Sequence, residues 1–151
     1  MTRREIFQMF LSLDPQFIIL EHPSDLGIEA YGHTMEEMFT NAALGVVSII
    51  TEPSQVNQKL ERQITLQALD RENLLVRWLN EILFLFHGEK FLVQKVRFET
   101  LTDRSLKADV FGEMMDPSRH ELKLDIKAVT YHQLKIEDHQ DKWTARVFVD
   151  V

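Results

Sequence analysis

A chain of 151 residues with 44% apolar and 27% charged side chains has the composition of one soluble globular domain, able to bury about 70% of the surface its unfolded form exposes. Its 24 acidic against 17 basic residues give a formal net charge of −7. That balance argues against direct, extensive nucleic-acid contact, which draws most of its affinity from neutralising phosphates. The lack of cysteine removes disulfides, thiolate metal ligands and a cysteine nucleophile together.

Residues 1–16 read as an extension and residues 17–151 as a single domain. Thr2 and Glu5 match a capping box, and Ile6, Phe7, Phe10 and Leu11 share one helical face before Asp14-Pro15 stops the helix. Packing onto the domain and docking a partner are both open to such a helix. Gln8 interrupts its apolar part and no small cleavage-site residues follow, so it is not read as a signal peptide. No window approaches the ~18 apolar residues of a membrane span. These features predict a cytoplasmic protein without membrane contact.

Phe17–Glu21 and residues 27–32 read as a first pair of strands. Pro23, Ser24, Asp25 and Gly27 crowd the turn between them. Thr34 and Glu37 make a second capping box, followed by a stripe of Met35, Met38, Phe39, Ala42, Ala43, Val46, Ile49 and Ile50 at helical spacing. Pro53 ends that helix, and residues 59–69 alternate as a strand. Asp70 caps a second amphipathic helix with Leu75, Trp78, Leu79, Ile82, Leu83 and Phe86 inward, Arg77, Asn80 and Glu81 outward, and Gly88 as its C-terminal stop. Strands are expected at 91–100, 106–111, 122–131 (with Leu122, Leu124, Ile126 and Ala128 on one face), 134–137 and 143–151. This order predicts an α+β two-layer sandwich, a mostly antiparallel sheet covered by two amphipathic helices.

The five glycines are too dispersed for a dinucleotide or phosphate-binding loop, and no serine sits in a nucleophile elbow. The six histidines do not have the helical two-histidine zinc spacing. Oxygen donors offer more. If the two ends of the chain meet, Asp25, Asp150 and a Val151 carboxylate or carbonyl can hold a hard cation such as Ca²⁺ or Mg²⁺. Asp25 as an Asx-turn residue and Asp150 as a solvated strand end is the other reading, and the residues alone leave both open. The polar run 116–121 can place Arg119 and His120 at a functional edge or simply connect two elements. Lys127 can face a partner or simply solubilise its strand.

Several stretches resemble the archease family. His22-Pro23-Ser24-Asp25-Leu26-Gly27 is similar to that family's His-Thr-Ala-Asp-Ile/Val-Gly, departing from it at Pro23 and Ser24. Ala30-Tyr31-Gly32 with Thr34-Met35-Glu36-Glu37, the helical run from Leu74 to Glu81, and Arg119-His120-Glu121-Leu122 also match. So do Lys127-Ala128-Val129-Thr130-Tyr131-His132 and the closing Val149-Asp150-Val151. The resemblance covers residues 17–151 in order. It implies a non-catalytic, chaperone-like cofactor protein for an RtcB-type RNA ligase in tRNA splicing and RNA repair, promoting the ligase's guanylylation and multiple turnover. It also implies a calcium or similar divalent site at Asp25, Asp150 and Val151. His120 and Lys127, from the residues themselves, are the candidate partner-facing side chains. Two other classes fit the same carboxylates. One is a metal-dependent phosphoester hydrolase using Asp25 and Asp150, with His22 or His120 as base. The other is an interaction module whose metal is structural.

Overall fold

The computed structural model describes residues 15–21 and 25–151. The short helix expected before Pro15 lies outside the described residues, as do His22, Pro23 and Ser24.

Among the described residues seven strands form two antiparallel ladders. The first contains β1 (Phe17–Glu21), β2 (Leu26–Gly32), β7 (Lys142–Asp150) and β6 (Ala128–His139), in the spatial order β1-β2-β7-β6. The second contains β3 (Leu60–Gln67), β5 (Ser105–Met114) and β4 (Phe91–Leu101), in the order β3-β5-β4. The strands therefore make the expected mostly antiparallel α+β arrangement, divided into two ladders that the hydrophobic pattern does not distinguish. Pairing of β2 with β7 joins distant parts of the chain and brings Asp25 beside Asp150.

Helix α1 (Met35–Ile50) starts where the sequence indicates. The Thr34 hydroxyl accepts the Glu37 N–H at 3.1 Å, and the Glu37 carboxylate accepts the His33 N–H at 3.4 Å. Eleven of its sixteen residues are buried, more than one stripe requires, because α1 touches β1, β2 and β7 of one ladder and β4 of the other. Helix α2 (Arg71–Glu89) is capped by Asp70, which accepts the Asn73 N–H at 2.7 Å. It runs past Gly88 and stops at Lys90, whose left-handed backbone (φ 59°) lets its N–H return to the Phe86 carbonyl at 2.8 Å. Gly88 is thus inside the last turn and does not stop it.

Trp78 joins these layers. Its indole N–H donates to the Phe39 carbonyl of α1 at 3.0 Å, and its ring lies 5.3 Å from that of Phe98 on β4. Burying the indole without a partner for its N–H would cost free energy, so the bond to Phe39 fixes how the helices meet.

The strand expected at 122–131 begins six residues late, at Ala128, where β6 starts. Residues 121–127 form no ladder, and Leu122 and Leu124 are 50% and 46% exposed although they alternate with polar residues. The β6–β7 ladder extends only to Ala128↔Asp150, so this segment has no strand beside it. It is tied instead to the end of α1, where the Lys123 N–H donates to the Ile50 carbonyl at 2.7 Å, and it buries only Ile126.

Candidate functional site at the end of the four-stranded ladder

Antiparallel register decides which side chains share a face. On β2 and β7 the pairs Ile28↔Val147 and Ala30↔Ala145 point into the core, and all four residues are buried. The alternate pairs Gly27↔Phe148 and Glu29↔Arg146 therefore lie on the opposite face. A Cβ on Gly27 would stand 2.9 Å from Phe148 Cε1, so the missing side chain is what lets the phenyl ring lie across β2. The Arg146 guanidinium donates to the Glu29 carboxylate at 2.7 and 2.9 Å, and the Tyr31 hydroxyl donates to it at 2.7 Å. The Tyr31 bond, aided by Arg146 and opposed by partial burial, holds Glu29 below the usual carboxylate range. Burial and the neighbouring Glu29 push the Tyr31 phenol upward.

The last ladder pair is Leu26↔Val149. One step further, the same register puts Asp25 opposite Asp150, on the face that carries Gly27 and Phe148. Residues 25 and 150 are thus neighbours across the two strand ends. Opposed residues in such a pair have Cβ atoms about 5 Å apart. That is compatible with two carboxylates sharing one hard cation at ~2.4 Å ligand distances. Asp150 is exposed and Asp25 half-buried, and among the described residues neither makes an ion pair. Like charges directly opposite each other are unfavourable, so the pair is better suited to hold a cation than to stabilise the ladder by itself. Val151 follows at once and adds backbone oxygen. Among the described residues no three His, Cys, Asp or Glu side chains gather as a metal site, so a cation here would be held by two carboxylates, main-chain oxygen and water.

The third strand completes the corner. Ala128 pairs with Asp150, and the Lys127 N–H donates to the Asp150 carbonyl at 2.7 Å. The Lys127 side chain is exposed. Its main chain thus positions Asp150, and its ammonium is available to a partner.

His120 belongs elsewhere, and its expected exposure to a partner is corrected by its burial. Its side chain has no exposed surface. Nδ1 accepts the Asp116 N–H at 2.9 Å, while Nε2 faces the Gln55 carbonyl at 3.0 Å and Glu113 at 3.3 Å. A nitrogen that accepts from a backbone N–H carries no proton, which fixes the tautomer with hydrogen on Nε2. Glu113 is itself buried, accepting from the Asn57 N–H at 2.5 Å and from Arg119. Burial raises the Glu113 pKa, but the Asn57 and Arg119 bonds outweigh it and leave the carboxyl below its ordinary range. These groups spend their bonds on one another. With Nδ1 and Nε2 both engaged, His120 is also poorly placed to serve as a hydrolase base.

Asn80, expected to face outwards, instead meets β6. Its Oδ1 accepts the Val129 N–H at 2.9 Å and its Nδ2 donates to the Val129 carbonyl at 3.2 Å. An asparagine in mid-helix, where its propensity is poor, is the signal that marks it.

The family model of the archease protein family matches residues 17–151. The archease of Methanosarcina mazei is 42% identical over 137 residues, covering 87% of this chain and 93% of that protein. That of Sulfurisphaera tokodaii is 35% identical over 138 residues, covering 90% and 99%. The solution structure of Methanobacterium thermoautotrophicum protein 1598 superposes with a TM-score of 0.76 at 35% identity, over 91% of this chain and 99% of that one. A crystal structure of a Thermotoga maritima archease, described as a possible chaperone, shares the fold with a TM-score of 0.61 at 19% identity. With a match over residues 17–151 and relatives above 30% identity across most of its length, the chain belongs to the archease family.

Proposed function

We propose that this protein is a chaperone-like accessory factor that activates an RtcB-type RNA ligase, promoting its guanylylation and sustaining its turnover. The observation that carries the reading is the convergence of Asp25 and Asp150, 125 positions apart in sequence, beside the exposed Lys127 at one end of a ladder. Membership of a family with a relative described as a possible chaperone supports a partner-directed role.

Asp25, Asp150 and a Val151 oxygen would hold calcium or a similar hard cation. When bound, that ion supplies positive charge offsetting the two carboxylates and coordinates further oxygen ligands. The chain's residues do the rest. Asp25 and Asp150 present oxygens from adjacent strands. Lys127 fixes the Asp150 main chain and offers an ammonium to an acidic or phosphate-bearing group on the ligase. The ladder behind them supplies rigidity, so that groups on the ligase are ordered against a fixed surface for guanylyl transfer.

The test is to incubate the cognate ligase with GTP, with and without this protein, and measure the covalent guanylylated ligase. Acceleration that is lost with Asp25→Ala supports the reading. No acceleration, or the same acceleration from Asp25→Ala, rejects it.

A further inference from the structure

Among the described residues β6 is an edge strand, with no strand bonded to one side of its backbone. It is also interrupted. The ladder to β7 holds at Ala128, Val129 and Thr130, then breaks until Lys135, and Gln133 takes a left-handed φ of 51° within the break. These three residues, paired with Asp150, Val149 and Phe148, therefore form a short ladder whose continuation along β6 is out of register. Such a segment needs a second support to be rigid.

That support comes from α2. Asn80 presents an acceptor to the Val129 N–H and a donor to the Val129 carbonyl, as a neighbouring strand would, at 2.9 and 3.2 Å. One residue satisfies both backbone groups because a carboxamide carries a donor and an acceptor side by side. Seven positions earlier on the same helical face, Asn73 donates to the Tyr131 hydroxyl at 2.5 Å. Lys127 is held between two fixed points, Ile126 with no exposed surface and Val129 clamped at the edge.

We infer that Asn80 is a positioning residue for the Asp25–Asp150–Lys127 corner, setting its geometry through the backbone of Val129 without touching a ligand or partner. The inference rests on the reading of this corner as the cation-binding and ligase-facing site. It deepens that reading by placing the determinant of the site's geometry on a helix away from the carboxylates. An asparagine that only covers a strand edge would protect the fold and leave the corner's binding unchanged, which is the competing role.

Asn80→Ala removes both bonds. Asn80→Asp keeps the acceptor for Val129 N–H but turns an oxygen toward the Val129 carbonyl. Both are compared with the parent chain by calcium titration, amide NMR with hydrogen exchange, and ligase guanylylation, at a temperature where all three are folded. The expected result is amide shifts concentrated at 127–130 and 149–151, and faster exchange at Val129. Calcium affinity and the rate of guanylylation are expected to fall by about tenfold, the lower end of the range for residues that orient ligands from behind. A lowered melting temperature with unchanged calcium affinity and unchanged guanylylation makes Asn80 an edge cover and overturns the inference. Failure of the parent chain to accelerate guanylylation rejects the ligase reading instead, and calcium affinity then decides Asn80. Should the parent bind no calcium, amide changes confined to the corner sustain the inference, and their absence or spread through the chain overturns it.

Discussion

The Asp25–Asp150 corner and the Glu113–Arg119–His120 cluster are both polar and both noticeable in the sequence, yet they differ in where their hydrogen bonds go. In the cluster the buried Glu113 carboxylate is bonded by the Arg119 guanidinium, the buried His120 imidazole and the Asn57 N–H, and the imidazole accepts the Asp116 N–H. At the corner two carboxylates sit opposite each other near the surface without an ion pair among the described residues. A polar group that is fully used inside the chain builds the fold. One that keeps its lone pairs at the surface is available for a ligand.

The contrast can be broken most severely at the corner. Asp25→Asn or Asp150→Ala is expected to weaken calcium binding by at least about tenfold, read by calorimetric titration. The same Asp25→Asn should leave stability in chelator unchanged or slightly raised, within about 0.5 kcal/mol, because it relieves like-charge repulsion. A thermal melt with and without calcium checks that sign.

In the cluster the expectation is the reverse. Glu113→Ala or His120→Ala leaves buried partners unsatisfied and should cost about 1–3 kcal/mol of folding stability in a urea titration. Calcium affinity of the folded fraction should not move.

Acid sharpens the same comparison. The folded-state pKa of Glu113 lies below the ordinary 4.5, so its contribution is present above that value and is lost as pH falls through the depressed one. Glu29, Asp109, Asp116 and Glu137 are shifted the same way, so the parent chain should lose stability steadily below about pH 4.5. Subtracting a Glu113→Gln melting series from the parent series isolates the cluster's share, and the difference should shrink as pH falls. The smallest effect is expected at Glu29→Gln, which weakens a partly exposed pair with Arg146 and should cost no more than about 1 kcal/mol in the same urea titration.

The helices were the most legible part of the fold, because Thr34 and Asp70 are capping residues followed by regular apolar spacing. Alternation was a weaker guide. It located the strand ending at Asp150 but also suggested one through Leu122 and Leu124, since alternation gives side-chain direction and not a pairing partner. At the candidate site, the chemistry of Asp25 and Asp150 was readable as oxygen donors. Their meeting depends on the β2–β7 pairing, a long-range contact that no local pattern encodes. The burial of His120 is hidden for a related reason, since a histidine in a turn-like run gives no sign of it. The role of Asn80 is hidden because helical spacing sets it beside Arg77 and Glu81, on a side that looks solvent-facing, where α2 in fact meets the β6 edge.

The central claim is that the corner acts on a partner while the cluster maintains the fold. Its most direct test is formation of guanylylated ligase from GTP, measured with equal concentrations of folded Asp25→Ala, His120→Ala and parent protein. The account predicts that His120→Ala supports the parent rate and Asp25→Ala gives the rate of ligase alone. Parent-like activation by Asp25→Ala, or loss of activation by folded His120→Ala, would contradict it.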